Sequence, residues 1–314
     1  MSEPYEAEAS PATGRRWRLS DGAAQAYVCE AGAALLGYRV GGRWLTEPSD
    51  PASPLPAGSG QLLVPWPNRV RDGRWLLEGQ TQHLALTEPS RANASHGLLR
   101  HASYAAIEES GRHVRLRAEI FPQSGYPFRL THTVTWELLD EGLRATHEVT
   151  HQGEGRAPVA IGAHPYLRVG DADVADCTLA IDAHTRIVVD ERLLPVGTAP
   201  VSGEHDWRSG PPIGARRVDS GYADLRPAGD GLFRHTLRAP DGHGVALWAD
   251  PAFAWVQVFV TDRLPGRDLA VAVEPMTAPA DALNSGEGIV WLADGDSLVA
   301  SWGLDPVSPG EDCG

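Results

Sequence analysis

The sequence predicts a mainly β protein, built as a large antiparallel β-sandwich, and three observations lead to this fold class. First, 34 glycines and 25 prolines divide the 314 residues into short segments. Second, many of these segments alternate apolar and polar side chains with the period of two that is typical of half-buried strands. Third, long amphipathic helical patterns are missing. A sandwich is the natural way to bury so many alternating strands.

The clearest strands lie in the middle of the chain. In residues 113–120 the even-numbered positions, from Val114 to Ile120, are apolar, whereas the positions between them are charged. Residues 130–138 and 143–150 alternate in the same way. Asp140-Glu141-Gly142 supplies turn residues between these two segments. The pattern therefore predicts three adjacent antiparallel strands.

Later segments extend the same pattern to the end of the chain. Residues 281–284 are predicted to form one helical turn, and the Pro- and Gly-rich stretch 194–214 is interpreted as a long loop. Strand patterning resumes after that loop without a change in composition. We therefore expect one domain over residues 14–304, with flexible tails at 1–13 and 305–314. Four more segments are predicted strands: residues 244–249, 255–260, 269–273 and 297–304.

Charge and composition exclude several functional classes. The formal net charge is −14, which disfavours nucleic acid and anionic membrane surfaces as partners. All 27 basic residues are arginine, so Schiff-base chemistry, a pyridoxal phosphate anchor and the phosphate-binding lysine of nucleotide-binding loops are excluded.

The remaining features of composition favour a protein of the cytoplasm without a metal. Cys29, Cys177 and Cys313 lie far apart and predict neither a disulfide framework nor a zinc site. The acidic N-terminus does not resemble a signal peptide, and no apolar run is long enough to span a bilayer. His147 and His151 share one strand face, but without a third ligand nearby they are interpreted as partly exposed strand histidines.

Polar residues beside glycine or proline form a separate group. Each lies next to strand-like sequence, and in a β scaffold such strand-end positions can converge on one cleft. Pro165 and Pro275 bias the residues before them toward extended backbone. The group consists of Asn68-Arg69, His96-Gly97, His164-Pro165, Asp219-Ser220-Gly221 and Glu274-Pro275.

In this set of motifs, in this order, the sequence resembles the aldose 1-epimerases (galactose mutarotases), particularly a bacterial branch of that superfamily. The resemblance runs over about residues 62–302. It implies a galactose mutarotase-like supersandwich that binds a pyranose in an open groove. One departure is Gly97-Leu98-Leu99-Arg100, where the best-studied galactose enzymes have a double glycine. This departure places a preference for galactose in doubt, but not the chemistry.

The resemblance also implies roles for individual residues. Glu274 is expected to be the general base and His164 the general acid, since glutamate and histidine can be tuned toward neutral pKa values. Four further residues are expected to hold the sugar hydroxyls, and Trp66 is expected to offer a stacking face. Neither a metal nor an organic cofactor is expected. The four hydroxyl-binding residues are Asn68, Arg69, His96 and Asp219.

Three alternatives stay open beside a mutarotase that acts on a free aldohexose. Arginines near the motifs are compatible with a hexose-6-phosphate 1-epimerase. A non-catalytic carbohydrate-binding protein would keep only the fold and the groove. A glycosidase would use Asp219 and Glu274 as its carboxylates. The net charge favours an unphosphorylated aldohexose as substrate, because it opposes the approach of a dianion. We expect a monomer or a weak homodimer.

Overall fold

The computed structural model of the chain describes residues 12–311, and nearly all of its regular structure is β-strand. The strands, in chain order, are β1 (Arg16–Asp21), β2 (Ala24–Cys29), β3 (Leu35–Val40), β4 (Arg43–Trp44), β5 (Leu62–Leu63), β6 (Arg69–Arg71), β7 (Arg74–Leu77), β8 (Gln80–His83), β9 (Asn93–Ser95), β10 (Ala105–Glu109), β11 (His113–Ile120), β12 (Leu130–Leu138), β13 (Leu143–His151), β14 (Arg156–Val159), β15 (Gly162–Ala163), β16 (Tyr166–Leu167), β17 (Thr178–Ile181), β18 (Ala183–Val189), β19 (Pro195–Pro200), β20 (Asp219–Leu225), β21 (Phe233–Arg238), β22 (Gly244–Ala249), β23 (Trp255–Thr261), β24 (Ala270–Met276), β25 (Val290–Ala293) and β26 (Ser297–Val307).

Helical structure within residues 12–311 is confined to short turns. One α-helical turn, α1 (Ala282–Ser285), forms where the sequence predicts it. The 3₁₀ turns are Pro56–Gly58, Pro89–Arg91, Val174–Asp176 and Gly203–His205.

Two large antiparallel sheets carry the fold. The first has the order β10-β11-β12-β13-β26-β22-β21-β17, and the second has the order β19-β18-β20-β23-β24-β15-β5, with β16 also paired to β24. Apolar side chains of both sheets meet in one buried cluster. The predicted mainly β sandwich is therefore confirmed.

The three strands predicted in the middle of the chain are adjacent in the first sheet. Trp136 of β12 pairs with Val114 of β11 on one side and with Ala145 of β13 on the other. Burial alternates strictly along β11, so the period read from the sequence is the period of the sheet. The small sheet β1-β2-β3-β4 lies against β12 and covers this region.

Two expected boundaries need correction. The loop expected at 194–214 contains β19, which forms the edge of the second sheet and therefore tolerates a proline at each end. The expected tail at 305–314 begins inside β26, because residues 305–307 continue to pair with Gly244–Ala246 of β22. The N-terminal tail expected at 1–13 overlaps Thr13, which is buried and donates a hydrogen bond to the carbonyl of Pro51. Residues 1–11 and 312–314 of these tails lie outside the described residues.

A chain of polar side chains crosses the interior of the first sheet. Trp302 Nε1 lies 3.0 Å from His147 Nε2, His147 Nδ1 lies 3.1 Å from His132 Nε2, and His132 Nδ1 lies 2.6 Å from the Tyr104 hydroxyl. Both histidines are fully buried, and His151 is almost so. The expectation that His147 and His151 are partly exposed is therefore wrong, because their strand face points into the core.

Two smaller features complete the fold. Cys29 and Cys177 are buried and unpaired with each other, and Cys313 lies outside the described residues. Among residues 12–311, the helices are all too short or too polar to cross a membrane.

Candidate active site

An open cavity of about 870 Å³ lies at one end of the second sheet. Its floor comes from β20, β23 and β24, and its walls come from the turns that flank β5, β6, β9 and β15. Six of the seven predicted site residues line it: Asn68, Arg69, His96, His164, Asp219 and Glu274. The strand-end positions identified in the sequence therefore converge on one cavity.

Glu274 and His164 contact each other in the floor of this cavity. Glu274 lies on β24 opposite Gln257 of β23, and its Oε1 is 3.2 Å from His164 Nε2. His164 stands between β15 and β16, where its backbone N–H donates to the carbonyl of Gln61 at 2.9 Å. The His164 and Glu274 side chains are 5% and 3% exposed, so water reaches them only through the cavity.

Burial sets the protonation of this pair. Burial, strengthened by the negative charge of Asp219, raises the pKa of Glu274 well above its usual value, and the charge of Arg69 opposes this shift. Burial lowers the pKa of His164 to about 4, and the charges of Arg69 and Arg100 act in the same direction. Both shifts disfavour the ion pair, so a proton shared by the two groups rests on Glu274 rather than on His164.

Arg69 is fixed at the wall by carboxylates on two sides. Its guanidinium forms a two-pronged contact with Glu88, from Nε at 2.9 Å and from an Nη at 3.2 Å, and lies 3.9 Å from Asp219. Asn68 Oδ1 accepts from the Arg69 backbone N–H at 2.9 Å. Asp219 accepts in turn from Gln257 Nε2 at 2.5 Å. This network presents Arg69 and Asp219 to the cavity with their directions already set.

His96 and Asn68 are placed by backbone geometry. Both have left-handed conformations, with φ of 63° and 55°, and the His96 N–H donates to the Asn68 carbonyl at 2.8 Å. The His96 ring meets the His164 ring edge to face, with centroids 5.7 Å apart. Burial, followed by the charge of His164, lowers the pKa of His96 well below its usual value, which keeps the ring neutral.

Three buried polar atoms of these residues have no hydrogen-bond partner among residues 12–311: His96 Nδ1, His164 Nδ1 and Glu274 Oε2. Buried polar atoms are rarely left unpaired, because each one costs about 1–3 kcal/mol. Glu274 Oε2 in particular belongs to a carboxyl group that lines the cavity. A ligand with hydroxyl groups can supply the missing hydrogen bonds.

Trp66 does not belong to this site. It is 2% exposed, packs against Tyr126 with ring centroids 6.0 Å apart, and does not line the cavity. The expected stacking face is therefore corrected to a core position. Trp66 comes two residues before Asn68, which lines the cavity, but its own ring belongs to the buried core.

Several cavity residues lie outside the motifs identified in the sequence. Glu88 precedes a proline, as Glu274 does, so the sequence marks it in the same way, as a polar residue beside a proline. Gln257 lies on a predicted strand, but its place beside Glu274 depends on strand register, which the sequence does not define. Arg100, one of the arginines near the motifs that are compatible with a phosphorylated substrate, also lines the cavity, as do Arg217 and Arg263, which no motif includes. Among the described residues, no three metal-ligating side chains come together.

Comparison with known proteins gives a consistent result. The family model described as aldose 1-epimerase matches residues 15–303. The protein YihR of Escherichia coli strain K12 is 31% identical over 286 residues, which cover 90% of each chain. Among solved structures, a galactose mutarotase-like protein of Clostridium acetobutylicum superposes with a TM-score of 0.82 at 16% identity, covering 93% of this chain and 94% of that one. An aldose epimerase homologue from C. elegans gives 0.81 at 16% identity, covering 94% and 99%.

Proposed function

The chain belongs to the aldose 1-epimerase family, and from that premise we propose that it interconverts the α and β anomers of an aldohexose whose anomeric hydroxyl is free. The observation that carries this proposal is the buried contact between His164 and Glu274 in the floor of the cavity. Anomerisation needs one acid and one base at the same carbon atom, because the anomeric oxygen O1 and the ring oxygen O5 are both bonded to C1. Two proton-transfer groups 3.2 Å apart meet this requirement.

The reaction begins with ring opening. The single proton of the pair moves from Glu274 Oε1 to His164 Nε2 across their contact, which leaves a carboxylate and an imidazolium. Glu274 takes the proton of the O1 hydroxyl, the C1–O1 bond becomes a carbonyl, and the C1–O5 bond breaks. His164 Nε2 gives its proton to O5. Arg69 lowers the pKa of Glu274 and so favours the carboxylate that this step requires.

Ring closure reverses these transfers on the other face of the carbonyl. After rotation about C1–C2, O5 attacks C1 and returns its proton to His164, while Glu274 returns its proton to O1. The proton then passes back from His164 to Glu274, so both groups stand as they began and no further reactant is consumed. The proposed chemistry uses only these two side chains and calls for no metal or organic cofactor.

The remaining site residues are proposed to hold the sugar hydroxyls. Arg69 and Asp219 are fixed by Glu88 and Gln257, so they offer a donor and an acceptor in set directions. Asn68 and His96 contribute the polar atoms that their left-handed turns expose to the cavity. A non-catalytic sugar-binding protein would need these four residues but would have no use for an acid and base buried together.

Polarimetry of freshly dissolved α-glucose and α-galactose tests the proposal. Glu274→Gln and His164→Asn are each expected to lower kcat by about 10²–10⁴-fold, the usual contribution of a placed proton-transfer group, while KM changes little. His235→Asn is the matched control, because His235 is also a fully buried histidine but lies on β21 outside the cavity. Unchanged mutarotation by either site variant would refute the assignment.

A further inference from the structure

The cavity contains arginines that the proposed chemistry does not use. Five arginines line it, and Glu88 binds two of them, Arg69 and Arg91. The other three, Arg100, Arg217 and Arg263, have no carboxylate within ion-pair distance among residues 12–311. Arg217 donates only to backbone carbonyls next to it, so its charge is unbalanced as well.

Strand register places Arg217 and Arg263 together at the mouth. Asp219 of β20 pairs with Phe259 of β23, and one residue further the Val260 N–H donates to the Val218 carbonyl at 2.7 Å. The next step of this ladder puts Arg217 beside Thr261, two residues before Arg263. Arg217 and Asp219 are two residues apart and share a face of the sheet, separated by about 7 Å. Both arginines therefore lie beyond Asp219, on the side away from Glu274.

Arg100 enters from the opposite wall, on the turn that follows His96-Gly97. It is half-buried, and burial lowers its pKa, with no acidic group to offset that cost. Its positive charge also contributes to the lowered pKa of His164 and of His96. A half-buried guanidinium without a counter-ion is costly unless a ligand supplies the negative charge.

The charges of the cavity residues differ in sign from the charge of the whole chain. Four carboxyl groups line the cavity beside the five arginines: Glu88, Asp219, Asp262 and Glu274. Even with all four ionised, the five guanidinium groups outnumber them by one. The cavity is therefore net positive, although the chain carries −14. Salt screens distant surface charges beyond about 10 Å, so the nearby arginines dominate the potential that a ligand meets.

We propose, resting on the proposed function, that the aldohexose substrate carries an oxyanion at the end of the ring farthest from the anomeric carbon. Arg100, Arg217 and Arg263 would bind this group, while the anomeric end faces Glu274 and His164. Carboxylate, phosphate, sulfate and sulfonate groups share the required chemistry, since each accepts several hydrogen bonds from guanidinium groups. The local arginines thus outweigh the net charge, which alone favours a neutral sugar.

Mutarotation kinetics with four probes test this inference: glucose, glucuronate, glucose 6-sulfate and glucose 6-phosphate. We expect kcat/KM to be about tenfold to a hundredfold higher for at least one of the three anions than for glucose, which is the scale of one or two charge-assisted hydrogen bonds. The preferred anion identifies the charge and geometry of the group. Added salt is expected to reduce the preference without changing the glucose rate.

Variants assign the preference to the arginines. Arg217→Ala and Arg263→Ala change exposed side chains, so they are expected to fold normally and to lower kcat/KM for the preferred anion much more than for glucose. Arg226→Ala is the matched control: it removes the same charge from an exposed position just past the other end of β20, outside the cavity. Equal rates for glucose and all three anions, or loss of preference in the control too, would overturn the inference.

A binding measurement separates this inference from the proposed function. Calorimetry with the Glu274→Gln variant compares the affinities for glucose and each anion without turnover. Tighter binding of an anion that depends on Arg217 and Arg263 supports the inference even where no sugar is epimerised. Normal epimerisation of glucose without any anion preference refutes the inference and leaves the proposed function standing.

Discussion

The buried histidines make the stability of the fold sensitive to acid, and His147 shows why. Trp302 Nε1 can only donate, so His147 Nε2 must accept. A neutral His147 then carries its proton on Nδ1 and donates to His132 Nε2. His132 in turn carries its proton on Nδ1 and donates to the Tyr104 hydroxyl. A second proton on His147 or on His132 would set two N–H groups against each other.

The pKa shift fixes the sign and size of the effect. Burial lowers the pKa of His147 from 6.5 to about 3. Above pH 6.5 the ring is neutral in the folded and the unfolded chain, so it has no effect on the pH dependence of stability. Between pH 6.5 and about 3, the unfolded chain binds a proton that the folded chain refuses. His147 therefore lowers the free energy of unfolding by about 1.4 kcal/mol per pH unit in this window, or about 3 kcal/mol at pH 4.5.

Urea unfolding followed from pH 8 to pH 4.5 measures this effect. Other groups contribute to the total, and buried carboxyl groups with raised pKa, such as Glu47, act in the opposite direction. The difference between wild type and His147→Gln isolates one histidine, because glutamine can still accept from Trp302 but does not titrate. We expect the variant to lose about 2–3 kcal/mol less than wild type as the pH falls from 6.5 to 4.5.

His83→Gln provides the control for this measurement, because it makes the same replacement at an exposed position. A similar gain in acid stability in both variants would mean that the burial of His147 is not the cause. If the free energies of unfolding of wild type and His147→Gln change in parallel with pH, His147 takes up its proton in the folded chain. The reasoning from the hydrogen-bond chain would then be wrong.

Four further predictions concern the site and the turn at Gly97 beside it. The pH–rate profile is expected to be bell-shaped. The rate falls on the acid side because His164, with its pKa lowered to about 4, becomes protonated and the pair then holds two protons. It falls on the alkaline side because Glu274 loses its proton. Asp219→Asn is expected to move the alkaline limb to lower pH, because Asp219 helps to raise the pKa of Glu274; an unmoved limb would contradict this. Glu88→Gln is expected to raise KM more than it lowers kcat, since it loosens Arg69 without touching the acid or the base; a loss in kcat alone would argue against it. Gly97→Ala is expected to lower the free energy of unfolding in urea by about 2–4 kcal/mol, because its φ is +70° and a Cβ would lie 2.1 Å from the Val64 carbonyl oxygen. Gly79→Ala is the control: its φ is +79° but its Cβ would meet open space, so it measures the backbone strain alone.

Period-two alternation predicted the strands that have one face in the core and one in solvent. It succeeded for β11 and β13, whose burial alternates throughout, and for β12 from Val134 onward. It failed for β19, because an edge strand with prolines at both ends and mostly exposed or half-exposed side chains carries little hydrophobic signal. The end of β26 was missed because Asp305-Pro306 resembles a loop, although β22 supplies a partner for these residues.

The candidate site was predictable only in part, since sequence motifs encode residue types and order but not distance. His164 and Glu274 could be paired because the motifs that contain them resemble those of the aldose 1-epimerases. Gln257 could not, because its contact with Asp219 follows from the register of three strands. Trp66 was placed wrongly for a related reason: one residue of rotation along an irregular segment decides whether a ring faces the cavity or the core.

Two of the site residues, Asn68 and His96, stand on backbone turns, whereas Asp219 and Glu274 lie on strands of the second sheet. Asn68 and His96 are left-handed without being glycine, a conformation that costs about 1–3 kcal/mol each. The hydrogen bond between them closes β6 against β9 and holds both turns in that conformation. A glycine at either position would relieve the strain but would remove the polar group from the cavity. The fold therefore sacrifices stability at these two turns, and the large buried sheets on which they rest provide the stability that permits it.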